Sequence, residues 1–278
     1  FEPTTPWFVA KYSIQLSYGR AEEPALYTHS AKFKASRRKV RIRGADTLST
    51  STYRHIPRVA DPVHPPAITP IPTRTAPAMH TLTVHGHRLE YIRRPSAHPR
   101  HDAPPLVFLH EGLGSIAMWR DFPQQVADAT GCEAIVYSRH GYGRSSPLTA
   151  PRTPDYMHVE ALQILPGVLD ALQLRAPILI GHSDGGSIAL IHAGGTPAPV
   201  RGVVVMAPHL YVEDVALEGI RRTVDAYRTT DLRARLARFH ADVDGVFAGW
   251  SDIWLHPDFR DWNIEAFVSA IPCPVMAI

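Results

Sequence analysis

Cysteine is nearly absent, with only Cys132 and Cys273 in 278 residues. Two thiols build neither a disulfide framework nor a zinc pattern, and both sit in apolar company, so the expectation is reduced, buried thiols in a cytoplasmic chain. Long hydrophobic runs are missing as well. The longest apolar stretches are strand-sized, well short of the roughly 20 residues that span a bilayer, which leaves no reading as a membrane helix. No charged-then-apolar stretch opens this sequence in the manner of a signal peptide. Lysine stops at Lys39: all four lysines lie in the first part, and the remainder carries its positive charge on arginine alone.

With 45% hydrophobic residues the chain can bury a substantial core, as one large domain or two small ones. The net charge of +3 conceals a split. Residues 1–78 hold 12 Lys and Arg against 5 Asp and Glu, whereas residues 79–278 hold 17 against 21. Such a break in usage suggests two stretches of different origin. The first shows no sustained helical or alternating period, carries the basic run "KFKASRRKVRIR" at 32–43, and crowds seven prolines into 57–77. It buries too little apolar surface to offset its chain entropy, so residues 1–78 are expected to be a disordered extension. The basic run has no interleaved aromatics, and no nucleic-acid partner is assigned to it. The first methionine is Met79, and "FEPTTPWFVAKYSIQLSYGR" resembles spurious translation of non-coding DNA upstream of bacterial genes. The native protein is therefore expected to begin at Met79.

From Met79 the texture changes. "HTLTVHGHRLEYIRR" reads as two alternating strands about a turn at Gly86. "PLVFLH" (105–110), "EAIVYS" (133–138), "PILI" (177–180) and "GVVVMA" (202–207) are short buried strands. They alternate with helices expected at 117–129, ended by Gly131, at 155–173 and at 184–193. Residues 212–268 are mainly helical, and "PCPVMAI" starts one more strand. Short apolar strands alternating with helices imply an α/β fold with a mostly parallel, doubly wound sheet covered on both faces. Ligands of such sheets bind beyond the carboxyl ends of the strands. The helical stretch after 202–207 is too long for a simple crossover and should fold back as a lid over about 210–268. Its aromatics Trp250, Trp254, Phe259 and Trp262 read equally as pocket lining or as lid core.

"ILIGHSDGGSIAL", residues 178–190, places a Gly-x-Ser-x-Gly between a buried strand and a helix. So tight a turn forces Ser183 into a strained backbone and lifts its hydroxyl clear of the sheet, with Gly181 and Gly185 giving room for neighbouring backbone. The helix start aims the Asp184 amide at the space above Ser183, where it can stabilise a developing oxyanion. A second donor should come from "HEGLGS", residues 110–115, after the strand at 105–110.

"LHEGLGSIAMW", "YSRHGYGRSSP" and "IGHSDGGS", in this order and spacing, closely resemble the α/β-hydrolase fold enzymes. The resemblance covers Met79 to Ile278. It implies Ser183 as nucleophile, the backbone amides of Gly112 and Asp184 as the oxyanion hole, and His110 as a loop-shaping residue with no role as base. It also implies that no cofactor is needed. Glu111 stands where the family commonly has glycine, and a carboxylate there opposes an oxyanion unless it is paired or points away. Asp184 raises the same concern. Each is either solvated or paired, or else contacts a polar substrate group or positions water.

A serine hydroxyl needs a base, and the base an orienting acid. In the family these come after the serine, the acid following the strand that "PCPVMAI" begins and the histidine later still. The chain as given is accordingly expected to be a fragment, incomplete at the C-terminus of the sheet and inactive by itself. Two present residues could substitute: Asp214, after the strand at 202–207, as acid, and His209, after the same strand, as base. "HGH" at 85–87 and "RFHADVD" at 238–244 lack three- or four-ligand spacing, so no metal is assigned. The resemblance implies a hydrolase acting on a small ester, thioester or related carbonyl compound through an acyl-enzyme. The alternatives are a carbon–carbon bond hydrolase or lyase of the same fold, or a non-catalytic ligand-binding homologue. The partner is a small-molecule substrate, with no membrane; the oligomeric state is left open.

Overall fold

The computed structural model describes residues 77–278. The expected extension over 1–78, with its basic run and prolines, lies outside the described residues except for positions 77 and 78. Seven strands form one sheet: β1 (His80–Val84), β2 (His87–Arg94), β3 (Leu106–Leu109), β4 (Ala134–Tyr137), β5 (Ile178–His182), β6 (Gly202–Met206) and β7 (Val275–Ala277). Their order is β1-β2-β4-β3-β5-β6-β7. β1 and β2 form a hairpin and β2 pairs antiparallel with β4, whereas every pair from β4 to β7 is parallel. The hairpin turn sits at His85 and Gly86, at φ 48° and 82°, the left-handed pair that a two-residue connection demands.

The central strands are apolar throughout because both faces are covered. On β3, Val107 and Leu109 join the larger core, under α2 (Tyr156–Val159), α3 (Leu165–Ala171) and α4 (Asp184–Gly195), while Leu106 and Phe108 join the core under α1 (Phe122–Thr130). Successive side chains of a strand point to opposite faces, so a four-residue run feeds two cores.

Two expected helices differ in detail. The stretch 117–129 is split into a 3-10 turn, Ile116–Trp119, and α1, with Arg120 between them at φ 54°. Pro123 explains the break: a proline has no N–H to donate and is tolerated only in the first turn, so α1 starts at Phe122. Gly131 ends it as expected, in the left-handed conformation. The stretch 155–173 passes from α2 through a π-helical segment, Glu160–Ile164, into α3. Pro166, in the first turn of α3, cannot continue the α-helical hydrogen-bond ladder, and the wider π turn absorbs the mismatch.

After β6 come α5 (Asp214–Thr229), α6 (Leu232–Leu236), α7 (Val243–Leu255) and α8 (Glu265–Ser269). Leu232, Leu236, Val246 and Phe247 pack on Leu113 and Tyr142, so α6 and α7 seat directly on the loops that follow β3 and β4. Trp254, Phe259 and Trp262 are buried against one another as core, while Trp250 is half-buried. The last helix, α8, lies on α4: the backbone of Phe267 comes so close to Gly194 that no side chain fits there. No helix among the described residues is long and apolar enough to cross a membrane.

Candidate active site

β5 ends at His182, and α4 begins at Asp184. The one residue between them, Ser183, has φ 51° and ψ −120°, a backbone state that costs a non-glycine residue about 1–3 kcal/mol. Neighbouring structure holds it there. The Ser183 N–H donates to the Met206 carbonyl at 2.9 Å, and the Ser187 N–H donates to the Ser183 carbonyl at 3.0 Å. Gly185 presses on the end of β3: a methyl group there would overlap the Leu109 carbonyl oxygen and lie 2.7 Å from that of His110. A methyl on Gly181 would lie 2.6 Å from the Gly186 Cα. The elbow and the loop after β3 are thus in direct contact. Ser183 keeps 9% of its surface, so it sits at the floor of a covered site and is not raised into the open.

The loop over 110–115 begins at His110, which is wholly buried. Its Nε2 accepts the Arg139 N–H at 3.0 Å, so its Nδ1 carries the hydrogen and donates to the Glu111 carbonyl at 2.8 Å. Burial, and then the charge of Arg139, hold this imidazole well below its ordinary pKa, hence neutral. Both nitrogens are occupied by backbone, which leaves His110 no proton to exchange. Gly112 follows, packed between the Asp184 carboxylate, whose Oδ2 lies 3.3 Å from where a Cβ would be, and the indole of Trp250 on α7. Asp184 opens α4, and the first amides of a helix have no partner within it. Gly112 and the start of α4 therefore lie side by side next to the elbow.

The two carboxylates that raised concern are both held. Glu111 Oε2 lies 3.6 Å from His182 Nδ1 and folds back over Gly114. Asp184 is buried, accepts a hydrogen bond from the Tyr156 hydroxyl at 2.8 Å, and lies 3.8 Å from the Arg139 guanidinium. Trp254 Nε1 donates in turn to the Tyr156 oxygen at 3.1 Å. Burial, and then the Asp184 charge, push the Tyr156 hydroxyl well above its ordinary pKa, so it stays a donor. Arg139 and Tyr156 escaped the sequence reading because their partners lie in separate segments, and Trp254 was read there only as an aromatic of pocket or core. Only the position of Arg139, two residues past the end of β4, marked it as facing the site.

His209 follows β6, and Ser187, one turn along α4 from Ser183, grips it. The Ser187 hydroxyl accepts the His209 N–H at 3.0 Å and donates to the His209 carbonyl at 2.6 Å. The ring stacks edge-on against Trp254, and burial lowers its pKa against the opposing pull of Asp184. Asp214 begins α5 with its side chain 87% exposed and pairs with Arg260 at 2.7 Å, a surface ion pair with no imidazole in it. Between α6 and α7, His240 bridges two loops: its Nδ1 accepts the Gly143 N–H and its Nε2 donates to the Leu113 carbonyl, each at 3.0 Å. His87 stacks on His140. Among the described residues, no three His, Cys, Asp or Glu side chains gather to hold a metal ion. Two clefts of about 270 and 250 Å³ lie around Arg152, one beside Asp252 and one beside Glu160 and Tyr156, and Ser183 lines neither. The candidate site is instead where the end of β5, the start of α4 and the loop after β3 meet.

Residues 104–272 match a family model described as the alpha/beta hydrolase fold. A sn-1-specific diacylglycerol lipase of Mus musculus is 31% identical over 103 residues, 37% of this chain and 32% of its own length. A 2-succinyl-6-hydroxy-2,4-cyclohexadiene-1-carboxylate synthase of Klebsiella pneumoniae is 30% identical over 162 residues, 58% of this chain and 57% of its own. The chain thus spans between about a third and just over half the length of these curated relatives. Among solved structures, a proline iminopeptidase of Mycobacterium smegmatis superposes with a TM-score of 0.53 at 16% identity, covering 72% of this chain and 80% of that one. At that identity the likeness is one of fold alone.

Proposed function

Because the chain belongs to the alpha/beta hydrolase family, we propose that it is a serine hydrolase cleaving a small ester, thioester or related carbonyl compound through an acyl-enzyme. Ser183 Oγ attacks the carbonyl carbon. The carbonyl oxygen gains charge and is received by the Gly112 and Asp184 amides, and the leaving group departs with a proton. Water then attacks the acyl ester, releasing the acid and restoring the hydroxyl. The placing of Asp184 beside the Arg139 guanidinium supports this assignment, since it offsets the negative charge beside the oxyanion, and Glu111 folds back over Gly114. The observation that carries the proposal is the backbone of Ser183: a non-glycine residue held at φ 51° and ψ −120° by contacts on both sides, between a strand and a helix.

The serine needs a base, and His209 is the described imidazole to test. It shares the electrostatic surroundings of Asp184 and His182, and burial keeps it in the neutral form that takes a proton. The substrate class stays broad because the relatives' own names range from a lipase to a synthase. A fluorophosphonate probe on the protein as its gene encodes it gives the test: labelling that Ser183→Ala abolishes is the expected result, and labelling that survives Ser183→Ala would end the assignment. The low exposure of Ser183 favours a second reading, a binding protein of the same fold; that protein takes no label at all. Labelling retained in His209→Asn removes His209 as the base.

A further inference from the structure

We propose that Arg139 is a positioning residue for the oxyanion hole, holding and polarising the Glu111–Gly112 peptide so that its N–H faces the substrate as a strengthened donor. The proposal rests on Ser183 being the nucleophile. Three donors converge on the Glu111 carbonyl: His110 Nδ1 at 2.8 Å, the Gly114 N–H at 3.0 Å and Arg139 Nη2 at 3.1 Å. The same Nη2 reaches the His110 carbonyl at 3.3 Å, and the Arg139 main chain fixes the His110 tautomer through Nε2. One arginine thus governs two of the three donors.

Covalent geometry does the rest. The Glu111 carbonyl and the Gly112 N–H belong to one planar peptide, and none of the described peptides is cis. In a trans peptide the two groups point in opposite directions, so pinning the oxygen on the Arg139 side turns the N–H to the other side. Hydrogen bonds to the oxygen, one of them charge-assisted, also draw electron density along the C–N bond and make the N–H a better donor.

An alternative role for Arg139 is neutralisation of Asp184 alone. The distances argue against it. The carboxylate oxygen is 3.8 Å away, beyond hydrogen-bond range, while both carbonyls lie within it. The guanidinium has no exposed surface, and a wholly buried cation is costly unless its environment is built around it. Here that environment is the loop over 110–115, the Tyr142 ring 4.6 Å from the guanidinium, and the Asp184 and Glu160 carboxyl groups.

The test compares fluorophosphonate labelling rates of the protein as its gene encodes it with those of Arg139→Gln. Absence of Ser183-dependent labelling in the wild type overturns the functional assignment and this proposal with it. Given that labelling, Arg139→Gln is expected to slow the rate at saturating probe by about 10-fold or more, below the 100-fold or greater loss from deleting an oxyanion donor outright. The half-saturating concentration should not change. A purely structural role would lower the fraction of molecules that label and leave the rate per folded molecule intact, and that outcome overturns the proposal. Should Arg139→Gln not fold, the double variant Arg139→Gln/Asp184→Asn removes both charges together, and Asp184→Asn alone is its reference. A double variant about 10-fold slower than its reference supports the positioning role, and equal rates overturn it.

Discussion

Gly185→Ala tests the contact on which the site is assembled. The added methyl would overlap the Leu109 carbonyl oxygen and lie 2.7 Å from that of His110, and neither is the flexible end of a side chain. Overpacking costs about 1–3 kcal/mol where side chains adjust, and more where backbone has to move. About 3 kcal/mol or more is therefore expected. For a domain of about 200 residues each kcal/mol lowers Tm by about 2–4 °C, so the melting temperature should fall by about 6–12 °C. Gly86→Ala is the control. It has nothing within 4 Å, and its φ of 82° makes the cost one of backbone conformation only, about 1 kcal/mol and about 2–4 °C. Calorimetry on the two variants gives the ratio. Because the shift parts the elbow from the loop over 110–115, Gly185→Ala should also lose fluorophosphonate labelling, whereas Gly86→Ala should not. Equal melting temperatures for the two, or full labelling in Gly185→Ala, would refute the claim that backbone contact between β3 and α4 builds the site.

Ser183→Gly should remove the strain of about 1–3 kcal/mol at the elbow at the cost of about 0.5–1 kcal/mol of glycine entropy, giving a net gain of about 1 kcal/mol; a variant that melts below wild type would show the turn to be relaxed. Asp242 caps α7, its Oδ1 accepting the Gly245 N–H at 2.9 Å. Asp242→Ala should cost about 1 kcal/mol, measurable by urea denaturation. Burial lowers the His240 pKa, so the folded protein binds its proton less readily than the unfolded chain does. Stability is then complete above the unfolded value of about 6.5, is lost as pH falls below it, and stops falling at the folded value. His240→Gln, which can still accept from Gly143 and donate to Leu113, should shrink the slope of stability against pH, by up to about 1.4 kcal/mol per unit, as the pH falls below about 6.5. An unchanged slope would assign the acid sensitivity to other buried histidines, such as His110 and His192.

Much of the architecture was legible because the signals are local. A run such as "LVFL" flanked by loops has room for nothing but a doubly covered strand, and a serine between glycines at a strand–helix join announces a strained turn. What escaped depended on partners distant in sequence. Nothing around Arg139 says that its guanidinium reaches the Glu111 carbonyl 28 positions earlier, nor does "PDYMHVE" show that Tyr156 bonds Asp184. The split of 117–129 was legible in principle, since Pro123 forbids a helix that starts earlier; the apolar periodicity masked it. The stretch 210–268 is helical as read, yet α8 at its end packs on α4, a placement that periodicity does not encode. His240 stood inside a segment weighed only for metal binding, and its work is to join two loops.

That junction limits how the covering helices can move. A single imidazole rivets the segment before α7 to the backbones following β3 and β4, through two hydrogen bonds shut away from water, each contributing about 1 kcal/mol. Lifting that corner pulls on the loops after β3 and β4 at once, so the covering helices cannot move there without deforming the backbone beneath them. Protonating the ring, which burial resists, would take away the acceptor for the Gly143 N–H and unfasten the same joint.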